Sequence, residues 1–199
     1  MVTLALVLLI MVAVRAANRL GPARAQPVIG PLAAFLLVAV SGLTPAAAGL
    51  TLSGFWYAGV AALLVAAGYG VALVIPAARR ALAVPSFDHP LRRALIGVPL
   101  STVIFEEVAF RGVLWGLLYV GHGPVWAYVI TALLFGLWHL PDTREVAFTT
   151  LAGVVLSSLR HAGGGLLAPF VLHWTANGLG ILASVWVRRS MQPDSGGNA

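Results

Sequence analysis

The chain has no cysteine and no lysine, few acidic residues, and no polar stretch long enough to make a separate soluble domain. Without cysteine there is no disulfide framework, no thiol nucleophile and no cysteine-based metal site. With lysine missing, all 12 basic residues are arginine, and against 6 acidic residues they leave a net charge of +6. On a soluble protein that excess would suggest a nucleic-acid partner. Here the arginines stand at the ends of apolar segments, where membrane topology accounts for them, so no nucleic acid is expected. Charged residues make up only 9% of the sequence against 60% hydrophobic, with a mean hydropathy of +0.95. A soluble domain of 199 residues does not hide that much apolar surface. The expectation is an all-α fold, a polytopic transmembrane helical bundle of about seven helices seated in a lipid bilayer.

The apolar segments read, in order, Val2 to Val14, Val28 to Leu43, Gly54 to Ile75, 94–120, 124–140, 146–159 and 165–187. The first has no basic residue ahead of its apolar core, which argues against a cleaved signal peptide. It is short, which predicts a tilted helix or a locally thinned bilayer. Arg15, Arg19 and Arg24 then fall in a loop broken by Pro22 and Pro27. The stretch Arg79 to Arg93, with Pro85, Asp88, His89 and Pro90, is the one clearly polar linker. It separates N-terminal transmembrane helices at 1–87 from a membrane core at 88–188, with a disordered tail at 189–199. His89 and His122 read as surface histidines, and Arg160 and His161, ahead of a triple glycine, as a polar loop. Ten of the 12 arginines fall on the side of the C-terminal tail, leaving Arg160 on the other and Arg111 within the membrane. That asymmetry predicts a cytoplasmic C-terminus and an external N-terminus in the plasma (inner) membrane.

One stretch departs from the apolar pattern. Phe105-Glu106-Glu107-Val108-Ala109-Phe110-Arg111-Gly112 sets two carboxylates and an arginine inside a run long enough to cross a bilayer. Ionisable groups at that depth are costly and usually face the bundle interior in pairs. Glu107 and Arg111 lie four apart, one above the other on a helix, and can pair. Glu106 points about 100° away and is left to face a cavity. The plain alternative is a buried structural ion network.

Two later segments supply further polar groups. Phe135 and His139 are four apart at the end of one apolar segment, just before Pro141. His173 and Asn177 are four apart inside the last one. Taken singly, the first is a histidine suited to a helix C-terminus and the second a helix–helix hydrogen-bonding pair. Together, three helices carry Glu-Glu-x-x-x-Arg, Phe-x-x-x-His and His-x-x-x-Asn. A bundle that unites them holds a base, two imidazoles and a carboxamide in a water-poor space, which is a hydrolytic constellation. By segment boundaries Glu106 lies nearer mid-membrane than His139.

These three motifs, in this order, resemble the CAAX prenyl endopeptidase and bacteriocin-processing (CPBP, or ABI) family of intramembrane proteases over residues 88–188. The resemblance implies an intramembrane endopeptidase acting on a membrane-associated peptide or protein, lipidated or not, near the bilayer. It implies that Glu106 and His139 activate a water, that His173 and Asn177 stabilise the oxyanion, and that Glu107–Arg111 is the supporting ion pair. No obligatory cofactor is expected. The alternatives are a zinc-dependent metalloprotease with His139, His173 and Glu106 as ligands, a non-enzymatic membrane immunity or scaffold protein, and a proton-coupled transporter, which should show internal repeats that this sequence lacks.

Overall fold

A computed structural model describes residues 2–83 and 87–191 of the chain. Among these residues it is all helix and turn, with no strand. The helices are α1 (Val2–Leu20), α2 (Gln26–Ser41), α3 (Phe55–Val74), α4 (Pro76–Ala81), α5 (90–122), α6 (Pro124–Leu137), α7 (Thr143–Gly163) and α8 (Leu167–Met191). Among the described residues there are eight helices, in keeping with the expected bundle of about seven, the additional one being the short helix that Pro76 starts where the linker begins. α1, the segment Ala23–Ser41, α3 and α8 are long and apolar enough to cross a bilayer, and α6 is a shorter apolar helix. Pro85, one of the linker's breakers, and the 192–199 part of the expected tail lie outside the described residues. Arg188 and Arg189 belong to α8.

The helix ends follow local chemistry. Asp142 caps α7 by accepting the backbone N–H of Arg144 (2.9 Å) and Glu145 (3.2 Å). Pro124 opens α6 at a position whose N–H would be unused. Gly42 and Gly164 end α2 and α7 with positive φ, 69° and 70°. α1 is not a short span. It runs as 19 helical residues through Arg15, Asn18 and Arg19, and stops only at Gly21-Pro22. Arginine is a good helix former, and both guanidiniums find an acceptor in the Leu140 carbonyl, so the charges do not end the helix.

α5 is the hub. It packs against α1, α2, α6, α7 and α8, and its middle holds the core residues Phe105, Phe110, Val113, Leu114, Trp115 and Leu118. It is not a regular α-helix. The stretches Arg93–Gly97, Pro99–Val103 and Glu107–Leu114 are π-helical, with i→i+5 hydrogen bonds. Such turns are rare and concentrate at functional sites. Gly112 and Gly116 let the loop between α2 and α3 press on this rod. A Cβ on Gly112 would lie 3.0 Å from the Ala48 carbonyl oxygen, and one on Gly116 2.9 Å from that of Ala47. Around the hub, α3 lies along α8 and α6 along α7. Apolar side chains such as Phe35, Leu63, Leu64 and Leu151 point outward, as expected of a lipid-facing surface.

Candidate active site

Glu106, Glu107 and Arg111 are 6%, 1% and 0% exposed. The two carboxylates follow each other in sequence but meet different partners. Glu107 Oε1 accepts from Arg111 Nη1 at 3.4 Å and from His173 Nδ1 at 2.7 Å. Glu106 Oε1 accepts from the indole Nε1–H of Trp138 at 3.0 Å. Its Oε2 has no hydrogen-bond partner among the described residues and lies 3.8 Å from His173 Nε2. The His173 imidazole therefore stands between the two glutamates, with one ring nitrogen toward each. Since a carboxylate can only accept, the contact with Glu107 puts a proton on His173 Nδ1.

Phe135 holds these groups together from α6. The Arg111 guanidinium carbon lies 3.9 Å from its ring centroid, a desolvated cation–π contact. The rings of His139 and His173 meet it edge-on, with centroids 5.1 and 6.0 Å away. This explains how Arg111 tolerates burial with Nε and Nη2 unpartnered among the described residues: its flat face is covered by an aromatic ring.

His139 follows the end of α6, where Nδ1 donates to the Phe135 carbonyl oxygen at 2.9 Å. That bond leaves Nε2 of the neutral ring as an acceptor. No His139 nitrogen lies within 4.0 Å of a Glu106 oxygen. The two are neighbours through Trp138, which precedes His139 and bonds Glu106. Leu100, Ser101 and Phe105 of α5 pack on Gly30 of α2, and the bond from Trp138 sets Glu106 beside the turn that carries His139. Asn177 is half-buried one turn beyond His173 on α8, and its side chain makes no hydrogen bond among the described residues.

A cavity of about 190 Å³ opens on Glu106, walled by Trp138, Ser101 and Thr102 and by Arg15, Asn18 and Arg19 of α1. Sequence reasoning placed Arg15 and Arg19 in a loop. The missed signal was their spacing, since 15, 18 and 19 share one face of a helix. Nothing in the sequence marks Trp138 as the donor to Glu106. Arg160 is also a correction. It lies inside α7, 7% exposed, and donates to the carbonyls of Arg111 (3.1 Å) and Ala47 (3.0 Å). His161 is helical too, and packs against the rings of Trp115, Tyr119 and Tyr128.

Among the described residues no three His, Asp or Glu side chains come together as a metal-binding group. The Nδ1 of His173 is bonded to Glu107 and that of His139 to a backbone carbonyl, so each ring presents Nε2 to the site.

Residues 88–179 match the family described as type II CAAX prenyl endopeptidase Rce1-like. Over this span the chain is similar to that family, the one its three motifs resemble. The family is a protease family, and the matched span contains all six of the polar site residues named from the motifs. It comprises α5, α6, α7 and the first half of α8; α1, which walls the cavity, lies outside it. No curated protein and no solved structure matches the chain.

Proposed function

We propose that this protein is an intramembrane endopeptidase of the CAAX-protease type, hydrolysing a peptide bond near the membrane surface with Glu106 as the base. The observation that carries the reading is the His173 ring held 2.7 Å from Glu107 and 3.8 Å from Glu106, beside a cavity into which Glu106 opens. Glu107 orients His173 as the carboxylate of a catalytic triad orients its histidine. The opposite nitrogen then faces the reacting centre.

In the proposed reaction a water lies between Glu106 and Nε2 of His139. Glu106 takes one proton from it as its oxygen attacks the scissile carbonyl carbon. The carbonyl oxygen becomes an oxyanion, and the Asn177 amide and His173 donate to it, the latter as an imidazolium whose Nδ1–H stays on Glu107 while its Nε2–H meets the substrate. Donors fixed in a low-dielectric site are each worth about 2.7–4 kcal/mol in related chemistry. The C–N bond then breaks, and Glu106 returns its proton to the leaving amine. Trp138 keeps Glu106 aimed throughout. With seven crossings, the arginine asymmetry favours a cytoplasmic C-terminus in the plasma membrane and an active-site mouth on the cytoplasmic side.

The test is cleavage of membrane-anchored peptides by purified protein, wild type against Glu106→Gln. The variant keeps the acceptor for Trp138 and loses the base. Cleavage by wild type and none by a folded Glu106→Gln protein is expected. Equal turnover would make Glu106 structural.

A further inference from the structure

The end of the bundle formed by the α2–α3, α5–α6 and α7–α8 loops holds a positive charge that the protein does not balance. Arg160, buried in the last turn of α7, donates from Nε to the Arg111 carbonyl and from Nη2 to that of Ala47. Carbonyls are neutral dipoles and leave the charge in place. No carboxylate lies within 4.0 Å of the guanidinium among the described residues. The acidic residues of the chain are Asp88, Glu106, Glu107, Asp142, Glu145 and Asp194. Asp142 and Glu145 stand at the opposite end of α7, and Asp88 precedes the opposite end of α5. Glu106 and Glu107 are bonded to Trp138, His173 and Arg111, and Asp194 lies outside the described residues. Buried charges are normally paired, and the negative end of the α7 dipole offsets only about half a charge.

The same guanidinium lines a cavity of about 370 Å³, bounded by Ala46, Ala47, Trp115, Tyr119 and His161. Nη1 donates to nothing among the described residues and is not sealed off from this space. Gly49, at φ 73°, folds the α2–α3 loop over the group so closely that a Cβ there would lie 2.5 Å from Nε. Arg160 is thus fixed before any ligand arrives. His161 stands exposed at the rim, its ring centroid 6.2, 6.0 and 6.1 Å from those of Trp115, Tyr119 and Tyr128, and makes no hydrogen bond among the described residues. Trp and Tyr side chains gather at the level of lipid headgroups, and Val120, on the cavity's outer wall, is exposed.

We propose that this cavity binds the phosphate of an anionic membrane lipid, with Arg160 Nη1 and the His161 ring as donors. Arginine donates to phosphate oxygens through charge-assisted bonds. Trp115 and Tyr119 then lie against the glycerol and the first acyl carbons. The preference is for a headgroup with net negative charge, because no carboxylate stands nearby to receive a choline or an ammonium. The inference stands apart from the peptidase reading. The lipid would rest on the guanidinium that holds the Arg111 carbonyl, and so would brace the π-helical stretch of α5 from the membrane side.

The test is native mass spectrometry of the full-length protein in neutral detergent, titrated with phosphatidylglycerol or phosphatidylcholine. One phosphatidylglycerol is expected to bind at least about tenfold more tightly than phosphatidylcholine. Ala46→Glu puts a carboxylate at the exposed rim without touching the bonds of Arg160, and should weaken phosphatidylglycerol by about tenfold. His161→Gln should weaken it by a smaller factor. Equal affinity for the two lipids overturns the proposal and needs no variant. A preference that neither variant lowers also overturns it, since the lipid then sits elsewhere, such as at Arg92 and Arg93. Inorganic phosphate is expected to compete only at far higher concentration. Displacement of phosphatidylglycerol by an equal concentration of phosphate would make this a site for a soluble anion and overturn the lipid assignment.

Discussion

His173 Nδ1 lies 2.7 Å from Glu107 Oε1, and the same oxygen takes the Arg111 guanidinium at 3.4 Å. Glu107 thus binds α5 to α8 and fixes the ring that faces Glu106. In the proposed reaction its role is orientation, and the charge it needs is balanced within its own helix. Stability and activity can therefore be separated at this position.

Glu107→Ala or Arg111→Ala leaves the other charge buried and unpaired, which costs about 3–5 kcal/mol in soluble proteins. Both should lower yield and melting temperature along with cleavage. The double variant Glu107→Leu/Arg111→Met removes both charges and should recover most of the melting temperature while staying inactive, because His173 has lost its acceptor. Wild-type cleavage by the double variant would show that Glu107 does not orient the ring.

Trp138→Phe keeps an aromatic ring against Phe105 and Phe110 and deletes the N–H that holds Glu106. A hydrogen bond to a charged group contributes about 1.5–3 kcal/mol. Cleavage should drop by about tenfold or more in kcat/KM, with a melting temperature lowered by a few degrees and the fold retained. Unaltered kinetics would mean that Glu106 is aimed by other contacts.

Arg160→Met removes two donors and leaves the carbonyls of Arg111 and Ala47 without them. Each lost buried partner costs about 1–3 kcal/mol. The loop between α2 and α3, pinned there and by the Leu166 N–H bond to Gly49 at 2.8 Å, should exchange its amides faster. Hydrogen–deuterium exchange over residues 44–50 is the measurement, and unchanged protection there would count against the pin.

For metal, activity should survive exhaustive chelation. Elemental analysis of active protein is the companion measurement. Stoichiometric zinc, with activity lost on its removal and restored by its return, would make His139 and His173 ligands instead.

Much of this was legible in the sequence, and the limits have physical causes. Seven of the helices announce themselves as apolar runs bounded by Gly and Pro. The Glu107–Arg111 pairing follows from i,i+4 spacing on one helix, so it needs no knowledge of the fold. The contact between His173 and Glu107 spans 66 residues, and no local rule selects one glutamate over its neighbour. Arg160 looked like loop chemistry because charge beside a triple glycine usually is. Only the fold shows two carbonyls within its reach. Arg15 and Arg19 misled for a related reason: arginines that mark the end of a span and arginines that wall a cavity look alike in sequence, and composition does not tell the two apart.

The cavity at Glu106 has walls of two origins. Its base and its indole donor belong to the segment 88–179, whereas its cationic wall comes from α1. Val7, Met11 and Val14 of α1 also belong to the core, and Arg15 covers the Trp138 ring. The shape of that cavity is therefore set by how two stretches far apart in the chain dock. A slip of α1 along its neighbours would rebuild the wall opposite Glu106.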